Sequence, residues 1–166
     1  MWEILEENLP SGGSILLSGV NHLALDTKGR LAIPTRYRAG LEACCASQLV
    51  VTIDPTRCLL IYPHNDWKQV EERLMGLPSL NPAARNLQRL LVGHAQHVEM
   101  DRQGRILISP PLREFAGLES QVVLMGQMNK FELWNEAQWY EQRERWLVES
   151  DFGALGDSPD FKNLTF

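Results

Sequence analysis

Four cations crowd one short stretch of this chain. Between Asp26 and Arg38 stand Lys28, Arg30, Arg36 and Arg38 against a single acid, a local charge of +3. Such density suits the gripping of phosphates, and an arginine in the group can also reach a guanine edge in the major groove. Histidines offer a second chemistry. His22 and Asp26 are four apart, on one face if both lie on a strand, and His97 and Asp101 repeat the spacing. Duplication of one module explains that repetition without a metal, and His94 and His97 lack a cysteine or carboxylate at ligand spacing. No metal and no cofactor are expected. Trp67, Trp134, Trp139 and Trp146 suggest stacking platforms for single strands, but helical spacing and neighbouring leucines point to core or subunit interface. No G-x-x-x-x-G-K-S/T, G-x-S-x-G or H-E-x-x-H occurs, and no nucleophile–base pair stands out. Neither an enzyme nor a small-molecule substrate is expected.

The net charge of −5 over 166 residues is adverse to nucleic acid only until it is divided. Met1–Gly19 holds Glu3, Glu6 and Glu7 and no base. Val148–Phe166 holds Glu149, Asp151, Asp157 and Asp160 against Lys162. Each end therefore carries −3, which leaves Val20–Leu147 at +1 with the basic cluster inside it. No apolar run approaches the roughly 18–20 residues that span a bilayer. Cys44, Cys45 and Cys58 are odd in number and lack C-x-x-C spacing, so they read as small buried hydrophobes. A cytoplasmic protein without membrane contact is expected.

The elements that must position the cations come from a repeat. His22-Leu23-Ala24-Leu25-Asp26-Thr27-Lys28-Gly29-Arg30-Leu31-Ala32-Ile33 returns 75 residues later as His97 to Ile108, and Arg38 and Arg113 keep that offset. Val51/Val123, Tyr62/Trp134 and Trp67/Trp139 then align at an offset of 72. In each copy an alternating strand (20–25 in the first) runs into a turn, Asp26-Thr27-Lys28-Gly29, and alternation resumes from Arg30 to Ile33. Gly29 supplies the positive φ such a turn needs, and the Asp26 carboxylate accepts its amide protons. Pro34 ends the ladder; a helix over 36–43 and strands over 48–53 and 58–62 follow. A helix capped by His64 or Asn65 places Trp67, Val70 and Leu74 on one stripe, and its counterpart begins at Asn135. Asn81-Pro82 opens a linker helix to Val92, with Leu87, Leu90 and Leu91 expected buried and Arg85 and Arg89 outside. The acidic tails, of weak periodicity, read as poorly ordered.

Asp26-Thr27-Lys28-Gly29-Arg30 and Asp101-Arg102-Gln103-Gly104-Arg105 closely resemble the paired D-x-x-G-R motifs of the MraZ family. So do Asn81-Pro82, Gln88-Arg89-Leu90-Leu91, Gly93-His94-Ala95, Gly126-Gln127 and Asn129 to Trp134. The resemblance covers about Val20–Leu147. It implies an α+β fold of two tandem SpoVT-AbrB modules, interlocked within one chain as a swapped-hairpin β-barrel with flanking helices. It also implies a cytoplasmic, nucleoid-associated ring that binds direct promoter repeats and represses its own operon of division and cell-wall genes.

On these grounds the chain divides into an acidic extension (1–19), a first module (20–67), a helical linker (68–95), a second module (96–139) and a helix end with an acidic tail (140–166). The expected partners are double-stranded promoter DNA and further copies of the chain. Lys28, Arg30, Arg36 and Arg38 are assigned to DNA. Asp26, Gly29, Asp101, Gly104 and Arg105 are assigned to the turns, because the second copy has Gln103 for Lys28 and Pro111 for Arg36. Arg38 and Arg113 occur in both copies, so packing along their stems is an alternative role. The rival function is a non-DNA oligomeric scaffold whose basic turn docks an acidic protein.

Overall fold

The computed structural model describes residues 13–150 together with Phe152 and Pro159; the acidic tails fall mostly outside the described residues. Each copy contributes four strands in the same order. The first supplies β1 (Leu17–Ala24), β2 (Arg30–Ala32), β3 (Gln48–Ile53) and β4 (Leu59–Pro63); the second supplies β5 (Gln96–Glu99), β6 (Arg105–Leu107), β7 (Gln121–Met128) and β8 (Lys130–Asn135). Helices α1 (Thr35–Cys45) and α2 (His64–Met75) belong to the first copy, α4 (Pro110–Phe115) and α5 (Glu136–Glu149) to the second, and α3 (Pro82–Leu91) links them.

The copies exchange their first strands. In the six-stranded sheet, ordered β1-β7-β8-β4-β3-β5, β1 pairs with β7 of the other copy and β5 with β3. The junction β4–β8 places Leu59 opposite Leu133 and Ile61 opposite Phe131. The remaining strands, β2 and β6, pair only with each other in a separate sheet. The fold is thus mixed α and β with antiparallel pairing, but the strands do not close into one barrel. Each hairpin bends out of the large sheet at its turn, and the two bent arms meet there. Leu31, Ile33, Leu41, Ile61, Ile106, Ile108 and Phe131 form a core between them, all fully buried, with Tyr37 edge-on to Phe131 at 5.0 Å. Filling that space to interior density fixes how the arms sit on the large sheet.

Three expectations change. The first strand starts at Leu17, whose side chain is 2% exposed, so the folded part reaches into the stretch read as a tail. Alternation breaks at Ser18-Gly19, which hid this. Gly19 faces Gly126 across the ladder, and a side chain at 126 would strike the Ser18 backbone, so small residues let the strands approach. Second, α2 is entered through Pro63, with no side-chain cap; His64 is already helical, and Asn65 donates to the Cys44 carbonyl. Third, the leucines of α3 face outward: Leu87 and Leu90 are 37% and 38% exposed and Leu91 is half-buried. Polar bonds hold the helix instead. The buried Thr52 hydroxyl donates to the Leu91 carbonyl and the Gln88 amide to that of Leu74 (2.7 Å). Its start is as expected, with Asn81 Oδ1 accepting from Ala83 and Ala84 N–H ahead of Pro82.

The described residues form two compact units that divide between Glu136 and Ala137. Within the second, the Arg143 guanidinium lies over the Trp139 and Tyr140 rings, 5.2 Å from each centroid. Among the described residues no helix is long and apolar enough to cross a membrane.

Asp66, in the first turn of α2, is buried, and its Oδ2 has no hydrogen-bond partner among the described residues. Burial pushes its carboxyl above the usual carboxylate range, partly offset by a bond with Ser14. A raised folded-state pKa means the folded state holds its proton more tightly, so stability falls as pH rises through that range. Asp66→Asn should therefore stabilise the protein at pH 7 by about 1 kcal/mol. In urea denaturation the gain should shrink as the pH is lowered to about 3, below the ordinary aspartate range of about 3.9, where the wild-type carboxyl is mostly protonated in both states. An equal gain at both pH values would remove the ionised carboxylate as its cause.

Candidate nucleic-acid interface

Each turn is tied by one aspartate. Asp26 Oδ1 accepts the backbone N–H groups of Lys28 (2.9 Å) and Arg30 (2.8 Å), while Oδ2 takes Arg30 Nε at 2.6 Å. Asp101 repeats this with Gln103 N (2.9 Å), Arg105 N (2.9 Å) and Arg105 Nε (2.9 Å). In both, the bond from the arginine's backbone N–H does most to hold the carboxyl below its usual range; its guanidinium adds to that. The short side chain of aspartate lets one carboxylate close the turn and hold the arginine. Because Nε is the atom engaged, the terminal amino groups of Arg30 and Arg105 point away, with no hydrogen bond among the described residues. A fork so held is preoriented for a bidentate acceptor.

The turns are locked by each other's copy. Gly29 and Gly104 have φ of +81° and +75°. Ile33 N–H donates to the Gly104 carbonyl (2.8 Å) and Ile108 N–H to that of Gly29 (2.9 Å). Arg38 donates from Nε to Ile33 O (2.7 Å) and lies flat on Gly104; Arg113 donates to Ile108 O (3.0 Å) and covers Gly29. A Cβ at Gly29 would stand 2.6 Å from Arg113 Nε, and one at Gly104 would meet Arg38 closer still. The glycines are required by backbone conformation and by this contact together.

The cations assigned to DNA are thereby separated. Lys28 is exposed at the tip of its turn, and Arg30, half-buried, stands at the start of β2. Arg36 is exposed but bonded to Asn21 Oδ1 (2.7 Å) and the Tyr37 hydroxyl (2.6 Å). Arg38 is half-buried in the cross-copy lock. Arg105 has the same surroundings as Arg30, its side chain 31% exposed against 33%. In β2–β6, Arg30 stands opposite Leu107 and Ala32 opposite Arg105, while Leu31 and Ile106 between them are buried. Arg30, Ala32, Arg105 and Leu107 consequently share one outward face. Sequence reasoning missed Arg102, exposed where the first turn has Thr27, so each tip carries one cation. Counting charge per turn rather than per aligned position would have found it.

The histidine pairings dissolve. Asp26 lies in a turn beyond the end of β1, and His22 Nδ1 meets Glu136 Oε2 at 3.2 Å. His97 lies beside the His64 ring, centroids 5.8 Å apart. Among the described residues no group of three or more His, Cys, Asp or Glu is placed to hold a metal. The cysteines are free; burial pushes the Cys44 thiol up to about 12, with Cys45 beside it adding to the rise, and burial likewise raises Cys58.

A family model described as "MraZ protein, putative antitoxin-like" matches residues 16–90 and again 91–153. The chain belongs to the MraZ family. Among its relatives are proteins called transcriptional regulator MraZ from Thioalkalivibrio sulfidiphilus (52% identical over 136 residues, 82% of this chain and 91% of the relative) and Coxiella burnetii (57% over 135 residues, 81% and 89%). A third, from Methylococcus capsulatus, is 49% identical over 152 residues, 91% of this chain and all of the relative. These MraZ proteins carry the name of a regulator rather than of an enzyme, in line with the absence of a catalytic motif in the sequence.

The cross-copy lock makes a quantitative demand. Gly104→Ala combines a left-handed backbone with a collision against Arg38, and should lower unfolding free energy by about 2–4 kcal/mol. Gln103→Ala, one residue away and exposed, should change it by less than about 0.5 kcal/mol. Chemical denaturation of both variants measures the contrast; equal effects would mean that Arg38 yields freely.

Proposed function

We propose that the chain is a transcriptional regulator that binds the double-stranded DNA of its own promoter through the β2–β6 ribbon and represses by occupying it. The observation that carries this reading is the outward face of the ribbon, where two arginines are held by aspartates with their terminal amino groups free. Two strands about 4.8 Å apart, with their side chains, fit a major groove about 12 Å wide. Lys28 and Arg102 flank the ribbon at its tips for phosphate contact, and Arg36 supports from α1. Arg38 serves by holding the second turn in place. The greater share of binding falls to the first copy, through Lys28 and Arg36, with Arg105 a second reading arginine rather than only a turn residue.

One ribbon offers few contacts, so useful affinity requires several on one DNA. The apolar outer side of α3, with Leu87 and Leu90 exposed beside Val92, supports assembly with further copies. We read the exchanged first strands as the swapped-hairpin arrangement of two SpoVT-AbrB modules, and the assembly as a ring on direct repeats upstream of division and cell-wall genes. Location in the cytoplasm at the nucleoid follows from that role.

Gel shift with the DNA directly upstream of the gene tests the reading. Arg30→Ala and Arg105→Ala should each weaken binding about tenfold or more with an unchanged melting midpoint. Light scattering should give a mass well above one chain. Wild-type protein that ignores this DNA while binding an acidic protein would favour the scaffold.

A further inference from the structure

Leu107 is out of place for a structural residue. It ends β6 in the two-stranded sheet, and its side chain is 53% exposed while its neighbours Ile106 and Ile108 are fully buried. It lies directly opposite Arg30, so their Cβ atoms are about 5 Å apart. At the equivalent position of the first copy, opposite Arg105, stands Ala32. The outward face therefore carries two arginines in matching positions and one large apolar side chain on one side only.

An exposed leucine between cations is poorly suited to a protein partner of either kind. An acidic surface would leave it wet, and an apolar one would strand Arg30 and Arg105. The DNA major groove presents both chemistries side by side: guanine N7 and O6 for an arginine fork, and the thymine 5-methyl group as the one apolar feature of a base edge. Resting on the DNA reading above, we propose that Leu107 is a specificity-determining residue that packs against the 5-methyl group of a thymine next to the base pair contacted by Arg30. Ala32 is too short to make the same contact for Arg105, so thymine is selected beside one arginine and not beside the other.

The test removes only the methyl. The upstream fragment is amplified with dUTP in place of dTTP, so that every thymine becomes uracil with its hydrogen-bonding groups intact. Wild-type protein should bind it about fourfold more weakly per engaged subunit, the worth of one buried methyl. Leu107→Ala should bind thymine DNA more weakly than wild type and show no preference between the two DNAs. Leu107→Met, which keeps an apolar contact, should retain part of the preference. Melting midpoints and light scattering should match wild type for both variants. Equal wild-type binding to the two DNAs overturns the proposal, as does a preference that persists undiminished in Leu107→Ala. Loss of assembly in Leu107→Ala with equal loss on both DNAs overturns it too, by placing Leu107 between copies. Wild-type protein that binds neither DNA overturns the DNA reading itself, a result separate from the loss of the methyl preference.

Discussion

Everything on the outward ribbon depends on a reciprocal hold between the two copies. Arg38 of the first closes over Gly104 of the second, and Arg113 of the second over Gly29 of the first. Each guanidinium also donates to the carbonyl that follows its own copy's second strand, at Ile33 or Ile108. Those same isoleucines donate their N–H groups to the opposite turn. Each turn is closed by its own aspartate, but the carbonyl of its glycine finds its backbone partner in the other copy. A β-hairpin alone is marginal in water, and here neither arm can stand alone. The duplication is a condition of the fold.

Local chemistry was legible in the sequence and long-range chemistry was not. The turn could be read from Asp26 and Gly29 because carboxylate, amides and positive φ all lie within five residues. Asn81-Pro82 marked the start of α3 for the same reason. By contrast, nothing near Arg38 in the chain reveals that its guanidinium rests on a glycine 66 residues away. The common face of Arg30 and Arg105 was hidden likewise, since it depends on the β2–β6 register. Judged residue by residue against its repeat, Arg105 looked like scaffold; set in the ribbon, it stands as Arg30 does. The start of β1 and the outward side of α3 were misread for a different reason. Alternation and helical stripes report where apolar residues recur but not which neighbour they meet, and at α3 the neighbour was met through Gln88 and Thr52.

Charge is distributed to serve this geometry. Asp26 and Asp101 lie beside the arginines they orient, and each engages one edge of the guanidinium. An acid in a basic patch usually subtracts from its field. Here it converts a flexible cation into a directed one, at the cost of part of the long-range attraction.

Joining the two copies in one chain has a further consequence, visible in Ala32 and Leu107. A reader built from two identical subunits must present the same residue on both sides of its axis, and so favours palindromes. Here the two arms are encoded separately and can drift apart without disturbing the lock between them. Alanine opposite one arginine and leucine opposite the other give the ribbon a front and a back. If the ribbon binds DNA as proposed, a surface with that handedness would have an orientation along a duplex, and successive copies laid on it would all point the same way.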